Sequence, residues 1–443
     1  MQSAPVVNLE ELIDRQDVRR TLLWVLLWAG SAMLADGYDL LSIALVAPTL
    51  IEQWQLTVAQ FSTVFTIGAA ASMLGGAACG YLADRIGRKR AIVAGTLLLG
   101  VSTLGSAYAA NLGELIAWRA LASFGIGTVP PVAIALVNEF APRRLRATSV
   151  ALLYLGTTLG VLLAGFVTRE FVPAHGWPIV FLVGGIGPLA VALGLAVFLR
   201  ESPRYLATRK PGSADTRRLA EWLAPGIAIA PDARFVLSGE PPIQGDPLRL
   251  VFSEGRWRKT LVFWIAYFAC GFTLYTMLNY SPIILRELGL TKGDAALLAA
   301  WASVAGWMGG VIITRGMDRW GLGAMILPPL IGIPLIGGLG SLAGAPGALI
   351  AVVTLLGGMI FSGSQAGLHA TGALLYPTAI RANGIGLGLL VTRSAGVLSP
   401  IVIAGLYAGE RAAQRVLWAA ALPLAVVAAC FLLLSRLHPR TQP

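Results

Sequence analysis

The sequence is poor in charged residues and in cysteine. Asp, Glu, Lys and Arg make up 12% of its 443 residues, whereas 56% are hydrophobic and the mean hydropathy is +0.74. Its three cysteines, Cys79, Cys270 and Cys430, all lie in apolar runs, so we expect neither a disulfide framework nor a metal site. A chain this apolar is unsuited to water, and the composition therefore indicates an integral membrane protein.

Motifs of enzymes and of cofactor binding are also missing from the sequence. It contains no P-loop, no G-x-S-x-G, no H-E-x-x-H and no haem attachment site. The glycine-dense GIGLG at 384–388 follows no strand pattern, so it is not a dinucleotide fingerprint. We therefore expect a protein that is not an enzyme, that holds no cofactor and that ATP does not power.

Apolar runs long enough to cross a bilayer as a helix recur along the whole chain. We predict twelve such spans, at residues 21–50, 58–81, 91–110, 113–137, 148–168, 178–199, 260–284, 295–314, 322–342, 346–375, 384–407 and 414–435. The ninth and tenth spans are divided only by AGAPG at 343–347. The fold class expected is therefore an all-α membrane protein.

Lys and Arg are concentrated on one side of these spans. They cluster in the connections at 85–90, 143–146 and 200–259, on the same side as both chain ends. The connections on the other side hold Arg169, Arg286, Lys292, Arg411 and Arg415. By the positive-inside rule, both termini are expected in the cytoplasm. The net charge of +11 is thus spread over loops on one membrane face, and nucleic-acid binding is not indicated.

The longest polar stretch, residues 201–258, separates six predicted spans from the other six. It is rich in Pro, Gly and charge, so we interpret it as a cytoplasmic linker with one short helix around 214–223. The expected domains are therefore an N-terminal six-helix bundle at 1–200 and a C-terminal six-helix bundle at 259–443.

A short signal of the form D-R-x-G occurs once in each half of the chain. GYLADRIGRKR at 80–90 contains Asp84 and Arg85, and TRGMDRWGLG at 314–323 contains Asp318 and Arg319. Both stretches connect the second and third spans of their half. The halves therefore look duplicated, as in secondary transporters that move two bundles about a site at the bilayer midplane.

These motifs resemble the major facilitator superfamily. GYLADRIGRKR is similar to its cytoplasmic loop signature, and RALASFGIG at 119–127 is similar to its pattern in the fourth span. NEFAPRRLRAT at 138–148 and ESPRYL at 201–206 resemble motifs of its sugar porters and organic-acid symporters. The resemblance implies two six-helix bundles and assigns a gating or loop role to Gly80, Asp84, Arg85, Gly87, Arg88, Glu139, Arg146, Asp318 and Arg319.

Three further stretches narrow the resemblance. DGYD at 36–39, QAGLHATGALLYPTAIRANGIG at 365–386 and TRSAGVLSP at 392–400 are most similar to the aromatic acid and proton symporter family. This resemblance implies proton-coupled transport of an aromatic acid, with Asp36 and Asp39 taking part in transport.

Four ionisable residues, Asp36, Asp39, Arg119 and Arg393, lie well inside predicted spans. Each such residue costs about 2.5–3.5 kcal/mol at a helix centre, so we expect them to face a cavity or one another. Asp36 and Asp39 project from nearby faces of one helix, where repulsion and burial both disfavour two charges, so the pair can carry a proton. Gly37 would allow local unwinding there. Alternatively, Asp36 caps a helix broken at Gly37 and Asp39 lies in an acidic mouth.

Arg393 is the leading candidate for binding a substrate anion, because its guanidinium stays charged and matches a carboxylate with two parallel hydrogen bonds. Arg119 is a second candidate, or else the partner of the aspartates. The alternative for all four charges is that they pair only to lock the bundle.

Polar and aromatic residues at four-residue spacing share helix faces and could frame a planar substrate. The candidates are Tyr275 and Asn279 in the seventh span, Gln365 and His369 in the tenth, and Tyr154 in the fifth. Tyr280, near the end of the seventh span, is interpreted instead as an anchor at the lipid interface.

The sequence thus predicts a monomeric symporter of the plasma membrane that imports a small organic anion with protons. An aromatic carboxylate such as a hydroxybenzoate is the expected substrate. Two alternatives stay open: a transporter of an aliphatic acid, phosphate or a sugar, and a membrane sensor that binds its ligand without moving it.

Overall fold

The computed structural model describes residues 6–15, 19–223, 234–236, 247–253, 255–376, 378–407, 409 and 411–437. Its helices are α1 (Leu9–Arg15), α2 (Arg19–Gln53), α3 (Val58–Ile86), α4 (Arg88–Ser106), α5 (Leu112–Phe140), α6 (Arg146–His175), α7 (Pro178–Phe198), α8 (Pro203–Arg209), α9 (Ala214–Leu223), α10 (Pro247–Phe252), α11 (Trp257–Glu287), α12 (Lys292–Trp320), α13 (Leu327–Gly338), α14 (Gly347–Leu375), α15 (Thr378–Leu406), α16 (Ala412–Ala421) and α17 (Pro423–Leu437). Its two short strands are β1 (Val6–Asn8) and β2 (Arg234–Val236).

The helices confirm the predicted fold class. Within the described residues, ten helical segments are long and apolar enough to cross a membrane. Two further predicted spans are occupied by α4 and by α13 with its 3-10 continuation Leu339–Leu342. The last span is formed by α16 and α17, and the predicted break near 343–347 does separate α13 from α14.

The two halves of the chain pair their helices in the same way. In the first half, α2 packs on α6, α3 on α5, and α4 on α7. The corresponding pairs recur in the second half as α11 with α15, α12 with α14, and α13 with α16 and α17. Between the halves, α3 packs on α15, α6 on α12 and α2 on α11. Each half is therefore a bundle of the same internal plan.

The first membrane helix is continuous through its acidic residues. Helix α2 includes Asp36, Gly37 and Asp39 without a break, so the predicted unwinding at Gly37 is wrong. A Cβ atom at Gly37 would overlap the backbone of Thr157 in α6. Glycine is thus needed here for close helix packing, as is common between membrane helices. Helical conformation at Asp36, Gly37 and Asp39 lets their backbone groups pair within the helix inside the bilayer.

The linker packs on the N-terminal segment and on the first bundle. The predicted linker helix is present as α9, and strand β1 pairs in parallel with β2 of the linker. Leu9, Ala220 and Phe235 form a small buried cluster, and Trp222 packs edge-on against Phe140 of α5. Linker residues 224–233, 237–246 and 254 lie outside the described residues.

The two sides of the membrane domain are named here from these elements. The linker face is the side that carries α8 and α9. The far face is the opposite side, where α2 ends and α12 begins.

The tight α2–α6 contact predicts a size limit at Gly160. A Cβ atom there would overlap the carbonyl oxygen of Leu34, so Gly160→Ala should lower the free energy of unfolding by about 1–3 kcal/mol through overpacking. Gly30→Ala in α2 is the matched control, because a Cβ at Gly30 meets no atom within 4 Å. Thermal unfolding of both variants in detergent measures the difference. Equal unfolding midpoints for the two variants would contradict this account of the contact.

Candidate functional site

The four charged residues predicted inside the membrane come from both halves. Asp36 and Asp39 lie on α2 and Arg119 on α5, and all three are at most 3% exposed. Arg393 lies on α15 of the second half. Charges buried this deeply need compensation, so their partners determine what the site can do.

Asp39 and Arg119 form a bidentate ion pair. The two guanidinium nitrogens Nη1 and Nη2 of Arg119 donate to Asp39 Oδ1 at 2.8 Å and to Oδ2 at 2.7 Å. The hydroxyl of Thr103 in α4 also donates to Asp39 Oδ1, at 2.7 Å. The pair therefore ties α2, α4 and α5 together. Arg119 was predicted either to bind a substrate anion or to pair with an aspartate. In this structure it pairs with Asp39.

Asp36 has different surroundings from Asp39. Its side chain is buried, and among the described residues its Oδ1 atom has no hydrogen-bond partner. Asp39 and Arg393 are the charged groups close enough to act on it electrostatically. A buried carboxylate oxygen without a donor is costly, so the charge of Asp36 is less well compensated by the described residues than that of Asp39.

Arg393 reaches across the interface between the halves. Its Nη1 atom donates to the carbonyl oxygen of Ser72 in α3 at 2.9 Å. The guanidinium fits there because Gly76 has no side chain, and a Cβ at that position would overlap it. Tyr154 and Tyr275 lie within electrostatic range of the same guanidinium. Arg393 thus presents a positive charge from one half to polar groups of the other.

A small cavity lies between the halves beside Arg119. It has a volume of about 70 Å³ and is bounded by α2, α3, α5 and α11. Tyr275 and Asn279, predicted to share a helix face, both line it together with Ser72, Arg119 and Ser123. Ligand pockets usually measure about 300–1,000 Å³, so this cavity must enlarge before it can hold an organic acid.

Gln365 and His369 lie apart from this cavity. The Nδ1 atom of His369 is 2.9 Å from the hydroxyl oxygen of Tyr267, which links α14 to α11. Gln365 is buried, and its Oε1 atom has no hydrogen-bond partner among the described residues. The structure therefore brings Tyr275 and Asn279 to Arg119, and it leaves the two α14 residues in a separate polar group.

Tyr280 is a contact between the halves that the sequence did not indicate. It is fully buried, so its interpretation as an anchor at the lipid interface is wrong. Its hydroxyl lies 2.6 Å from that of Ser62 in α3, and its ring packs edge-on against Phe65. Nothing local distinguishes a buried tyrosine near a span end from an interfacial one, so the sequence carried no signal for this contact.

Ion pairs between the halves lie at the far face. Lys292 at the start of α12 bonds Glu52 at the end of α2, and Arg169 of α6 lies 3.5 Å from Asp294 of α12. With the Tyr280–Ser62 contact, these pairs hold the two halves together on that side. The halves are therefore joined at the far face in this conformation.

The predicted loop-motif residues of the first half form a charge network at the linker face. Arg88 pairs with Asp84 at 2.7 Å and with Glu139 at 3.3 Å, and Ser202 also bonds Glu139. The backbone of Gly87, with φ of +100°, makes the turn between α3 and α4 that few other residues adopt. The network thus fixes α3, α4 and α5 to the start of α8.

The other predicted motif residues have separate contacts. Arg85 lies over the ring of Tyr81, and Arg146 donates to the carbonyl oxygen of Ala141. A Cβ at Gly80 would meet no atom within 4 Å, so packing does not require glycine there. Asp318 and Arg319 lie in the last turn of α12, at the positions that match Asp84 and Arg85 in α3.

Comparisons with known proteins agree with this architecture. A sequence model described as Major Facilitator Superfamily matches residues 27–400. The 4-hydroxybenzoate transporter PcaK of Pseudomonas aeruginosa is 31% identical over 405 residues, which cover 90% of this chain and 89% of that protein. A gallate transporter of Pseudomonas putida is 30% identical, over 89% of this chain and 88% of its own length.

Solved structures resemble the chain in fold. A bacterial homolog of the human lysosomal transporter Spinster, inward-facing and unoccupied, superposes with a TM-score of 0.72 at 18% identity, covering 96% of this chain and 99% of that one. A D-xylose-proton symporter gives a TM-score of 0.71 at 18% identity, covering 92% and 97%. At such low identity the likeness concerns the fold alone.

The buried ion pair predicts strongly coupled effects of substitution on stability. Asp39→Leu and Arg119→Met should each lower the free energy of unfolding by about 3–5 kcal/mol, because each leaves one buried charge without its partner. The double variant should cost less than either single one, since both charges are then gone. Thermal unfolding of the three variants in detergent measures the coupling.

A surface pair provides the control for this cycle. Arg169→Gln removes a half-exposed partner of Asp294 and should change stability by no more than about 1 kcal/mol. If the effects of Asp39→Leu and Arg119→Met simply add, the two residues do not depend on one another as the geometry indicates.

Proposed function

The chain belongs to the major facilitator superfamily and is a multi-pass transporter of the plasma membrane, and on that premise we propose that it imports aromatic carboxylates, such as hydroxybenzoates, together with protons. Its curated relatives named above are transporters of 4-hydroxybenzoate and of gallate, which are aromatic acids. The observation that carries the proposal is the placement of Asp36 and Arg393: two opposite charges on different halves, with one carboxylate oxygen lacking a donor.

Arg393 is the proposed site for the substrate carboxylate. Its guanidinium can accept a carboxylate in a bidentate arrangement, and its present hydrogen bond to Ser72 uses Nη1. Tyr275, which lies near Arg393, and Asn279, which lines the same cavity as Tyr275, are the proposed contacts for the ring of a planar acid. Substrate would therefore be held between the halves, with its charge on the second half.

Asp36 is the proposed proton carrier, because Asp39 is already neutralised by Arg119. In the empty carrier, ionised Asp36 balances the charge of Arg393. In the loaded carrier, the substrate anion balances Arg393 and Asp36 must be protonated. A proton alone, or an anion alone, would leave a net charge in the low-dielectric interior, and this cost couples the two movements.

Rocking of the two bundles would carry the site from one side to the other. We place the linker face in the cytoplasm, as the distribution of Lys and Arg favours. The contacts of Glu52 with Lys292 and of Ser62 with Tyr280 then close the outer side, and their release opens it. Enlargement of the cavity beside Arg119 accompanies this movement, because its present volume is too small for the substrate.

Replacing Asp36 tests the proton site. In proteoliposomes, Asp36→Asn should lose nearly all accumulation of 4-hydroxybenzoate driven by a pH gradient, because the empty carrier can no longer balance Arg393 on its return. Exchange of labelled for unlabelled substrate should persist, since the loaded carrier stays neutral.

The control for this test is Glu221→Gln, which removes an exposed carboxylate from α9 and should accumulate substrate normally. Normal gradient-driven accumulation by Asp36→Asn would refute Asp36 as the carrier. Binding of 4-hydroxybenzoate by the unaltered protein without any uptake would favour a sensor instead.

Replacing Arg393 tests the anion site. Arg393→Lys keeps the charge but not the bidentate geometry, so the affinity for 4-hydroxybenzoate should fall about ten- to a hundredfold, as for loss of a charge-assisted hydrogen bond. Equilibrium binding of labelled substrate in detergent measures the change.

The matched control is the neutral ligand 4-hydroxybenzamide, which should bind weakly and equally to both forms because it lacks the carboxylate. Unchanged affinity of Arg393→Lys for 4-hydroxybenzoate would show that the carboxylate binds elsewhere.

A further inference from the structure

A second charged cleft opens at the linker face, on the outer side of the first bundle. It has a volume of about 680 Å³ and lies among the start of α4, the end of α7, α8 and α9. Five basic residues line it, Lys89, Arg90, Arg200, Lys210 and Arg218. The acidic residues in its lining are Glu201 and Asp215, so the cleft carries an excess of positive charge.

The described residues compensate the positive charge of the cleft only in part. Among the described residues, none of its five basic side chains forms an ion pair with a carboxylate. Glu201 Oε1 instead accepts hydrogen bonds from the backbone N–H groups of Lys89 and Ser202, each at 2.9 Å. Arg200 lies over the ring of Trp222, 4.9 Å from its centre, so aromatic packing orients this guanidinium. An anion entering the cleft would meet more cations than carboxylates, and one of those cations, Arg200, is oriented by the ring of Trp222.

The same cleft borders the lipid-facing surface of the bundle. Val197 and Phe198 at the end of α7 line it and are 62% and 50% exposed, in a helix that crosses the membrane. Trp24 of α2 also lines it and donates its indole N–H to the carbonyl oxygen of Phe198 at 3.1 Å. Tryptophan is typical of the level of lipid headgroups. The cations therefore lie at headgroup depth, beside a surface against which acyl chains can pack.

We propose that this cleft binds the phosphate-bearing headgroup of an anionic phospholipid from the leaflet at the linker face. Basic pockets between membrane helices on the basic side of a membrane protein suit anionic headgroups, and arginine matches phosphate oxygens closely. The apolar border favours a lipid over a free phosphate, because only a lipid also covers Val197 and Phe198. The site is separate from Asp36 and Arg393, so this proposal does not depend on substrate or proton coupling.

Thermal unfolding of the purified full-length chain with added lipid tests the proposal. Phosphatidylglycerol should raise the unfolding midpoint, whereas phosphatidylcholine and inorganic phosphate at equal concentration should not. The variant Arg90→Gln/Arg200→Gln/Arg218→Gln should bind phosphatidylglycerol on the order of a hundredfold more weakly, at about fivefold for each basic residue near an anionic headgroup. Native mass spectrometry of retained lipid provides a second readout that does not depend on the stability of the variant.

Two matched variants separate a built site from general surface charge. Arg90→Lys/Arg200→Lys/Arg218→Lys keeps the charges and should retain most of the lipid binding. Arg144→Gln/Arg209→Gln removes exposed basic residues from the same face outside the cleft and should bind lipid like the unaltered chain. If this control weakens lipid binding as much as the triple glutamine variant does, or if the triple glutamine variant binds lipid normally, the proposed lipid site in the cleft is overturned. Equal stabilisation by inorganic phosphate would overturn its assignment to a lipid.

Discussion

The bidentate pair of Asp39 and Arg119 is the interaction on which the interior of the first bundle depends. An ionised residue inside a bilayer needs a partner, and this pair together with Thr103 connects α2, α4 and α5 at one depth. The connection keeps α2 in place while Gly37 and Gly160 bring it close to α6. A rigid bundle of this kind can move as a unit, which a transporter that alternates between two faces requires.

Because Asp39 has its own cation, Asp36 and Arg393 are left to interact across the interface. The two lie on different halves, so any movement of the halves changes how well one charge balances the other. In the proposed mechanism, this arrangement makes the protonation of Asp36 and the occupancy of Arg393 depend on each other without direct contact between proton and substrate. The different surroundings of Asp36 and Asp39 thus follow from which helices each aspartate faces.

The sequence predicted the fold closely because bilayer thickness imposes a length and a composition on every span. The sequence also predicted the break between α13 and α14 and the linker helix α9, because Pro, Gly and charged residues interrupt the apolar runs. For the charged site, the sequence predicted which residues take part but not how they pair. Spacing on one helix shows that Asp36 and Asp39 lie on nearby faces, but it does not show that Arg119 forms an ion pair with Asp39.

Other features depend on contacts between distant segments. From the sequence, Gly37 is equally compatible with local unwinding and with close helix packing. The position of Thr157 in the structure indicates close packing. Tyr280 likewise meets Ser62 from the other half, and β1 pairs with a strand more than 200 residues away. None of these partners can be inferred from local periodicity.

The repeated helix pairs explain how one interface can serve two conformations. In the repeat, α3 corresponds to α12 and α15 corresponds to α6. The contact of α3 with α15 and the contact of α12 with α6 are therefore equivalent. In this structure the Glu52–Lys292 and Arg169–Asp294 pairs join the halves at the far face, whereas the matched motif residues Asp84 and Asp318 lie at the other ends of α3 and α12. Closing the linker face would bring those ends towards the opposite half. In the proposed mechanism, the duplication therefore supplies each face with its own charged residues, and the carrier exchanges one set of contacts for the other as it alternates.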